Sequence, residues 1–596
     1  MLMLLAASTL VFGQKSRKQT AKTTDDRVYL EHADNLSFDQ YGPQAGAHVA
    51  RGKVKFVQEG MMLTCDSAYF YKEAQMFKAF GHVYMKQGDT LTLKSEYADY
   101  DNGVGREIFH ASKNVEVVHT TPKGKTVLTT DTLVYDKQNN FVKYLNNGKI
   151  VDSGSTLTSE WAEYHTDTRL ATFVFTVRVD GKDYNIETDT LMYDANESRA
   201  HSIGPTTVKT NDGMTITTRN MYFNNKTKWA EMIGPSRVVG KDMTIDTEHG
   251  EYNTETEDAK FHGPSTIVNK ETTIITSQGT YNKKTEFAHL TSRSTVINGE
   301  RTIEADTLKN NDQTGLQEGY GNVIFKDKKN KNELYCGIFN HNKKEGWGFA
   351  TARPTDKNCD RLPLMKDYSQ KDTAYVHADS IRLETFHIDT DSMWRQVHAY
   401  PHARMYRKDV QAIADSIAGN SKDSVIVLYR EPVIWHGMQQ LVGDEIHAFM
   451  RDSTVERAHV LGNAMSIEKL NPAPDEIGNS RVRDHYNQIS SKEMWAYFEN
   501  KKMKRSEAIS NVVTDYFAQD DKDSTFIGMV YCETDTMRMY MTDGKLEKIW
   551  TAGNRGTLYP MNQIPAGRDR LRGFAWYDEI RPKDENDLFI WKPRKE

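Results

Sequence analysis

The sequence predicts an all-β protein assembled from stacked repeats of about 29 residues, and three observations lead there. One eight-residue pattern returns along the first half of the chain, short β-branched runs opened by Gly lie between its copies, and Tyr is plentiful (29) while Pro is scarce (15). β-Branched and aromatic residues favour strands, and self-similarity at a period of roughly 20–50 residues marks stacked-repeat architectures.

The pattern reads apolar, any, small, acidic, any, small or Leu, any, aromatic. It stands at Leu63–Phe70, Leu93–Tyr100, Leu128–Tyr135, Leu157–Tyr164 and Ile186–Tyr193, then at Ile216–Phe223, Ile245–Tyr252, Ile274–Tyr281 and, more weakly, Ile303–Asn310. Side chains alternate along a strand, so positions one and three share a face, as do six and eight, but the two pairs fall out of phase at the acid. A bulge or corner there returns both pairs to the inside and turns the acid to water. The leading residues Leu93, Leu128, Leu157, Ile186, Ile216, Ile245, Ile274 and Ile303 are then expected to stack as an apolar ladder, with Asp66, Glu96, Asp131, Glu160, Asp189, Glu248 and Asp306 in an outer row. Calcium binding is the functional alternative for that row, but one carboxylate per repeat lacks the clustered oxygens of a calcium site, and Arg219 and Ser277 interrupt it.

Between the octets, Gly204-Pro205, Gly234-Pro235 and Gly263-Pro264 mark corners or strand starts, since Gly admits positive φ and Pro fixes φ without an N–H donor. Asn224-Asn225-Lys226, Thr254-Glu255-Thr256 and Asn282-Lys283-Lys284 follow the aromatics at a fixed offset and read as hairpin tips. A solenoid coil or two facing antiparallel sheets would hold such repeats, and either encloses an apolar trough. With strands 4.7–4.9 Å apart, the body is elongated, roughly 50 to 95 Å.

At 596 residues the chain is repetitive, multi-domain or both. Its 77 Lys and Arg against 83 Asp and Glu give a net charge of -6, without the cationic excess that nucleic-acid phosphates require. With 38% hydrophobic and 27% charged residues it is too polar for a polytopic helical membrane protein and too aromatic for a disordered one. Residues 1–13, MLMLLAASTLVFG, followed by Gln14, Lys15, Arg17 and Lys18, read as the apolar core of a secretory signal peptide, and are too short to span a bilayer of ~20 residues. Export permits none, one or two disulfides among Cys65, Cys336, Cys359 and Cys532, with Cys336–Cys359 the most local pair.

The octet with its acid, small-x-aromatic ending and following Gly-x-Val strand resembles the LptA/OstA family of lipopolysaccharide-transport proteins. Asp131 to Tyr135 (DTLVY) and Glu96 to Tyr100 (EYADY) carry the likeness, which covers residues 28–345 and, more diffusely, Ala378 to Ile381, Leu441 to Asp444 and Gly462 to Ala464. The resemblance implies a twisted β-jellyroll whose apolar interior holds the acyl chains of lipopolysaccharide, and whose open strand ends join other jellyrolls to bridge the periplasm. An acyl chain gains about 0.8 kcal/mol per CH₂ removed from water, and unpaired edge strands accept strand addition. The chain has more repeats than the family's short form, and a long C-terminal half.

Four segments follow: a signal peptide at 1–13, a jellyroll repeat domain at 28–349, a second β-rich jellyroll-like domain at 375–550 and an irregular tail at 551–596. Within the second domain, Lys408 to Gly419 has the spacing of one short helix. No HExxH, P-loop or Gly-x-Ser-x-Gly elbow occurs. His398 and His402 flank Pro401 and read as ordinary exposed histidines, and Asp520, Asp521 and Asp523 as a solvated turn. The cations Lys326, Lys328, Lys329 and Lys331, and Lys501, Lys502, Lys504 and Arg505, read as solvated loops that alternatively meet glycolipid phosphates. The expectation is a non-enzymatic, cofactor-free periplasmic protein of the cell envelope that binds lipopolysaccharide along the eight ladder residues, joins other jellyroll proteins and contributes to a bridge to the outer membrane. The alternatives are a structural or adhesive repeat scaffold and a polysaccharide-active enzyme, which would need paired carboxylates about 5–9.5 Å apart.

Overall fold

The computed structural model describes residues 28–592 and 594, except 59, 102–106, 123, 153, 271, 452–453, 474–483, 500–501, 521, 523–524 and 543–544. The expected signal peptide at 1–13, Lys501, Asp521 and Asp523 lie outside the described residues. Among those described there is no α-helix, only antiparallel strands and short 3-10 turns. The chain forms two compact units, Met1–Lys284 and Thr285–Glu596, so the division falls ahead of the 349/375 break expected from the sequence.

In the first unit twelve of the described strands are 10–14 residues long, and each of these pairs with the next in the chain. Their ladders shift at mid-strand, as between Glu187 and Thr190 or Phe80 and Val83, so each strand bends and contributes one half to each of two facing walls. The octet acid marks every second bend. In Leu63–Phe70, positions one, three, six and eight (Leu63, Cys65, Ala68, Phe70) are buried while Asp66 is exposed, and the same alternation holds at Ile186–Tyr193.

The acid and the Gly of the neighbouring strand are matched. Gly204 has φ +92°, and a Cβ there would fall 2.6 Å from Asp189 Oδ2, so the carboxylate fills the volume that Gly leaves. At other corners the carboxylate accepts a hydrogen bond from the residue after the bend: Asn322 Nδ2 donates to Asp306 Oδ2 at 2.7 Å, Asn114 Nδ2 to Glu96 Oε1 at 3.0 Å, and His82 Nδ1 lies 2.8 Å from Asp66 Oδ2. The outer acids therefore fasten corners. Inside the bend, hydroxyls pair with one another, Thr188 with Thr206 at 2.9 Å, and Thr218 with Ser236 and Thr247 with Ser265 at 2.8 Å, so the narrow seam carries satisfied polar groups. Gly204→Ala is expected to destabilise the protein by about 1–3 kcal/mol through the positive φ and the clash. In urea titrations the added Asp189→Ala change should restore the part due to the clash.

The second unit repeats the pattern at Val376–Leu383, Ala412–Gly419 and Leu441–Ala448. Residues 408–419 are not helical: strands Val410–Ala414 and Ser416–Asn420 meet at a corner at Asp415. The bend leaves inward Ala414 and Ile417 three apart, which mimics helical spacing. The last strands lengthen to 14–18 residues, from Thr454–Lys469 to Lys545–Pro560, so the irregular tail starts after Pro560 rather than at 551. Nor is the tail loose: Leu571, Ile580 and Leu588 are buried. His402 Nδ1 lies 2.9 Å from Asp379 Oδ2, another corner pair, while His398 is half-buried rather than exposed, beside Tyr400. All four cysteines are free, Cys336 included, and burial pushes the Cys65 thiol up to about 12.

Candidate functional site

The predicted ladder residues do stack. In the first unit the register runs through Phe56, Leu63, Met85, Leu93, Val117, Leu128, Ile150, Leu157, Val179, Ile186, Val208, Ile216, Val238, Ile245, Ile267 and Ile274. Leu93, Leu128, Leu157, Ile186, Ile216, Ile245 and Ile274 are 0–8% exposed. The reason lies on the opposite wall. There the eighth octet residues and their partners on the intervening strands form a second row, Phe70, Phe77, Tyr100, Phe109 and Tyr135, continuing as Tyr164, Tyr193, Phe223, Tyr252 and Tyr281 with Ala or Val between them. These rings reach the ladder: Phe56 has its centroid 5.6 Å from Phe70 and 5.5 Å from Phe77. The space between the walls is occupied by side chains.

Ile303 starts the corresponding row of the second unit, 4% exposed and paired with Val296 and Phe325. The row continues through Leu334, Met365, Val376, Met405, Ala412, Ile434, Leu441, Ser466, Ile489, Thr514 and Cys532. Here Leu334, Met365, Val376, Met405, Ile434, Leu441 and Ile489 are only half-buried. The facing row explains it: from Gly348 it reads Leu383, Val397, Gly419, Ile426, Ala448, Ala458, Ala496, Ser506, Met539 and Ile549, with no aromatic ring. Gly and Ala at the centre of that row do not reach across, and water meets the apolar wall.

The gap is most open at the long C-terminal strands. Inward-facing Leu558, Ile549, Tyr516 and Leu546 are 57%, 46%, 38% and 37% exposed, and Met450, Phe498, Met503, Met539 and Met541 line the same side at half burial. An exposed apolar surface of this extent is a candidate binding surface, and Met supplies flexible side chains that conform to a partner. The eight ladder positions expected from the sequence do not include this surface. The signal for it was the change of the octet's last residue from aromatic to Gly, Ala or Leu.

The outer face of the ladder wall is unlike that of the first unit. Its row Gln411, Trp435, Gln440, Ile467, Gln488, Asp515 and Tyr531 is buried, because the segment after Pro560 lies over it. Ile413, Val433, Val442 and Met465 join Leu571 and Ile580 in that second core, with Phe574, Trp576 and Tyr577 packed against it. Asp515 is fully buried with both carboxylate oxygens unpartnered. Burial raises its pKa from 3.8 to about 6, against the opposing pull of Arg568 and Arg570 and with the support of Asp569. A carboxyl raised in the folded state destabilises at neutral pH and is relieved as pH falls through about 6 toward 3.8. Asp515→Asn is therefore expected to stabilise the protein by about 3 kcal/mol at pH 7 and by nothing near pH 4, as read from urea midpoints at the two pH values. Among the described residues, no group of three His, Cys, Asp or Glu side chains has the geometry to hold a metal ion.

Residues 25–189 and 190–306 match, as two consecutive segments, the family described as OstA-like protein. Among solved structures, the crystal structure of LptH from Pseudomonas aeruginosa, the LptA-homologous periplasmic component of the lipopolysaccharide transport device, aligns at 19% identity. That alignment covers 19% of this chain and 79% of the other, with a TM-score of 0.17. A search of curated proteins finds no match. Through these two consecutive segments, residues 25–306 of the chain belong to the OstA-like family.

Proposed function

We propose that the protein is a periplasmic lipopolysaccharide-binding transport protein, and that acyl chains lie between the walls of the second unit. The observation that carries this reading is the open apolar surface around Leu441, Ile489, Met539, Ile549 and Leu558, in a chain whose residues 25–306 match the OstA-like family. An acyl chain entering there removes its own CH₂ groups from water, about 0.8 kcal/mol each, and covers Leu, Ile and Met side chains that are otherwise wet. In the first unit, Leu93, Leu128, Leu157, Ile186, Ile216, Ile245 and Ile274 form the same lane closed by rings, and a chain enters it only if the walls part. Partners that add a strand would meet Lys545–Pro560, which among the described residues pairs on one side only, or Asn35–Asp39, whose Leu36 and Phe38 are 57% and 56% exposed.

The test is titration of the purified protein with a dansyl-labelled undecanoic acid, followed by competition with lipopolysaccharide. Saturable fluorescence that lipopolysaccharide displaces, and that Ile549→Glu weakens at least tenfold, supports the reading. Unsaturable binding, or binding indifferent to Ile549→Glu, contradicts it. A scaffold role is favoured for the first unit by its filled interior: Phe56 packed on Phe70 and Phe77 makes a rigid spacer rather than a conduit.

A further inference from the structure

A gap lined by apolar residues tends to close, because bringing its walls together removes that surface from water. In the second unit the walls are propped at one end, where Phe325 stacks on Phe339 with centroids 5.3 Å apart, and beside the corner, where Ile446, Val460 and Met494 are buried, but beyond the corner the facing row is Gly419, Ala448, Ala458 and Ala496 where rings stand in the first unit. The restraint is on the outside. After Pro560 the chain turns back over the outer face of the ladder wall, and two glutamines grip its backbone in the same way. Gln488 Nε2 donates to Asp569 O at 2.9 Å, and its Oε1 accepts from Leu571 N at 2.9 Å. Six residues on, Gln440 Nε2 donates to Ala575 O and its Oε1 accepts from Tyr577 N, both at 2.8 Å. Arg581 donates twice to Gln411 Oε1, at 2.9 and 2.6 Å, and once to Gly437 O. Farther along, Phe589 packs on His377 with centroids 5.1 Å apart, and Trp591 lies 5.7 Å from the Arg404 guanidinium.

We infer that residues 565–592 are a strap that holds the ladder wall back from its partner and so keeps the apolar gap of the second unit open when it is empty. A carboxamide that accepts from one residue and donates to the residue two before it reads backbone alone, so the grip fixes an extended segment in one register on the wall. Fixed across several strands of the ladder wall, the strap stiffens it against the bending toward its partner that closing requires. The inference rests on the open-gap reading of the site but not on the identity of what enters it.

The experiment measures the gap directly, by pulsed electron-electron resonance between spin labels at Gln439→Cys and Arg451→Cys in a background with the native cysteines changed to alanine. These exposed positions end the two arms of one bent strand pair, Gln439–Val442 on the ladder wall and Glu445–Arg451 on the other. Three forms are compared: the full chain, the full chain with Gln440→Ala and Gln488→Ala, and a chain ending at Pro560, with circular dichroism to confirm retained strand content. Release of the strap is expected to move the distance distribution shorter, toward walls at the ~10 Å spacing of packed sheets. An unchanged distribution in a folded glutamine variant overturns the inference, even if truncation alone unfolds the chain. Because no lipid is added, failure of lipid binding and failure of the strap are read separately.

Discussion

Ala448→Phe combined with Ala496→Phe is expected to abolish acyl-chain binding while leaving the fold intact. Both alanines point inward from the wall opposite Leu441 and Ile489, at the octet position that carries Tyr or Phe in the first unit. A ring there does what Phe70 and Phe77 do against Phe56, whose centroids lie 5.6 and 5.5 Å away: it crosses the gap and covers the ladder. The apolar area buried by each new ring stabilises the protein by about 1–3 kcal/mol, set against the cost of any overpacking. Binding of dansyl-undecanoate should fall at least tenfold with no loss of urea stability, a combination that simple damage to the fold does not produce. Retained binding in the double variant would mean that the acyl chain runs elsewhere.

Trp435→Ala should be the most destabilising single change in the second unit. Trp435 is fully buried on the outer face of the ladder wall, and its indole Nε1 donates to Gln440 Oε1 at 3.1 Å, the same oxygen that accepts from Tyr577 N. Removing it leaves a cavity and frees the glutamine that grips the strap, at a cost of about 3–5 kcal/mol. Urea denaturation gives the loss, and faster tryptic cleavage after Arg568, Arg570 and Arg572 shows that the strap is the part released. A loss below about 1 kcal/mol would contradict the assignment of Trp435 to a packed second core.

The repeats were legible because a buried strand face has period two, and a break in that period at a fixed acid locates a corner. That reasoning placed Leu157 and Ile245 on the inside and Glu160 and Glu248 outside, as found. The same corner misleads where the flanking residues are small. Ala414 and Ile417 stand three apart across Asp415, a spacing that a helix shares. The strap left little trace in the sequence, since Gln440 and Gln488 recognise backbone, which has no sequence signature, and Pro565, Gly567, Gly573 and Pro582 break any period in the segment. A readable sign was strands apolar on both faces, such as Val410–Ala414 and Val433–His436, which indicate a layer on each side. The open gap was written in the eighth octet position, but only a comparison of its size in the two units exposes it.

The central claim is that acyl chains occupy the open gap of the second unit. Photo-crosslinking in intact cells tests it most directly, with a photoreactive residue placed in turn at Ile549, at outward-facing Arg538 and at Ile245, followed by detection of lipopolysaccharide on the crosslinked band. The account predicts an adduct from Ile549 and none from Arg538 or Ile245. An adduct from Ile245 with none from Ile549 would contradict it and move the lipid path to the first unit.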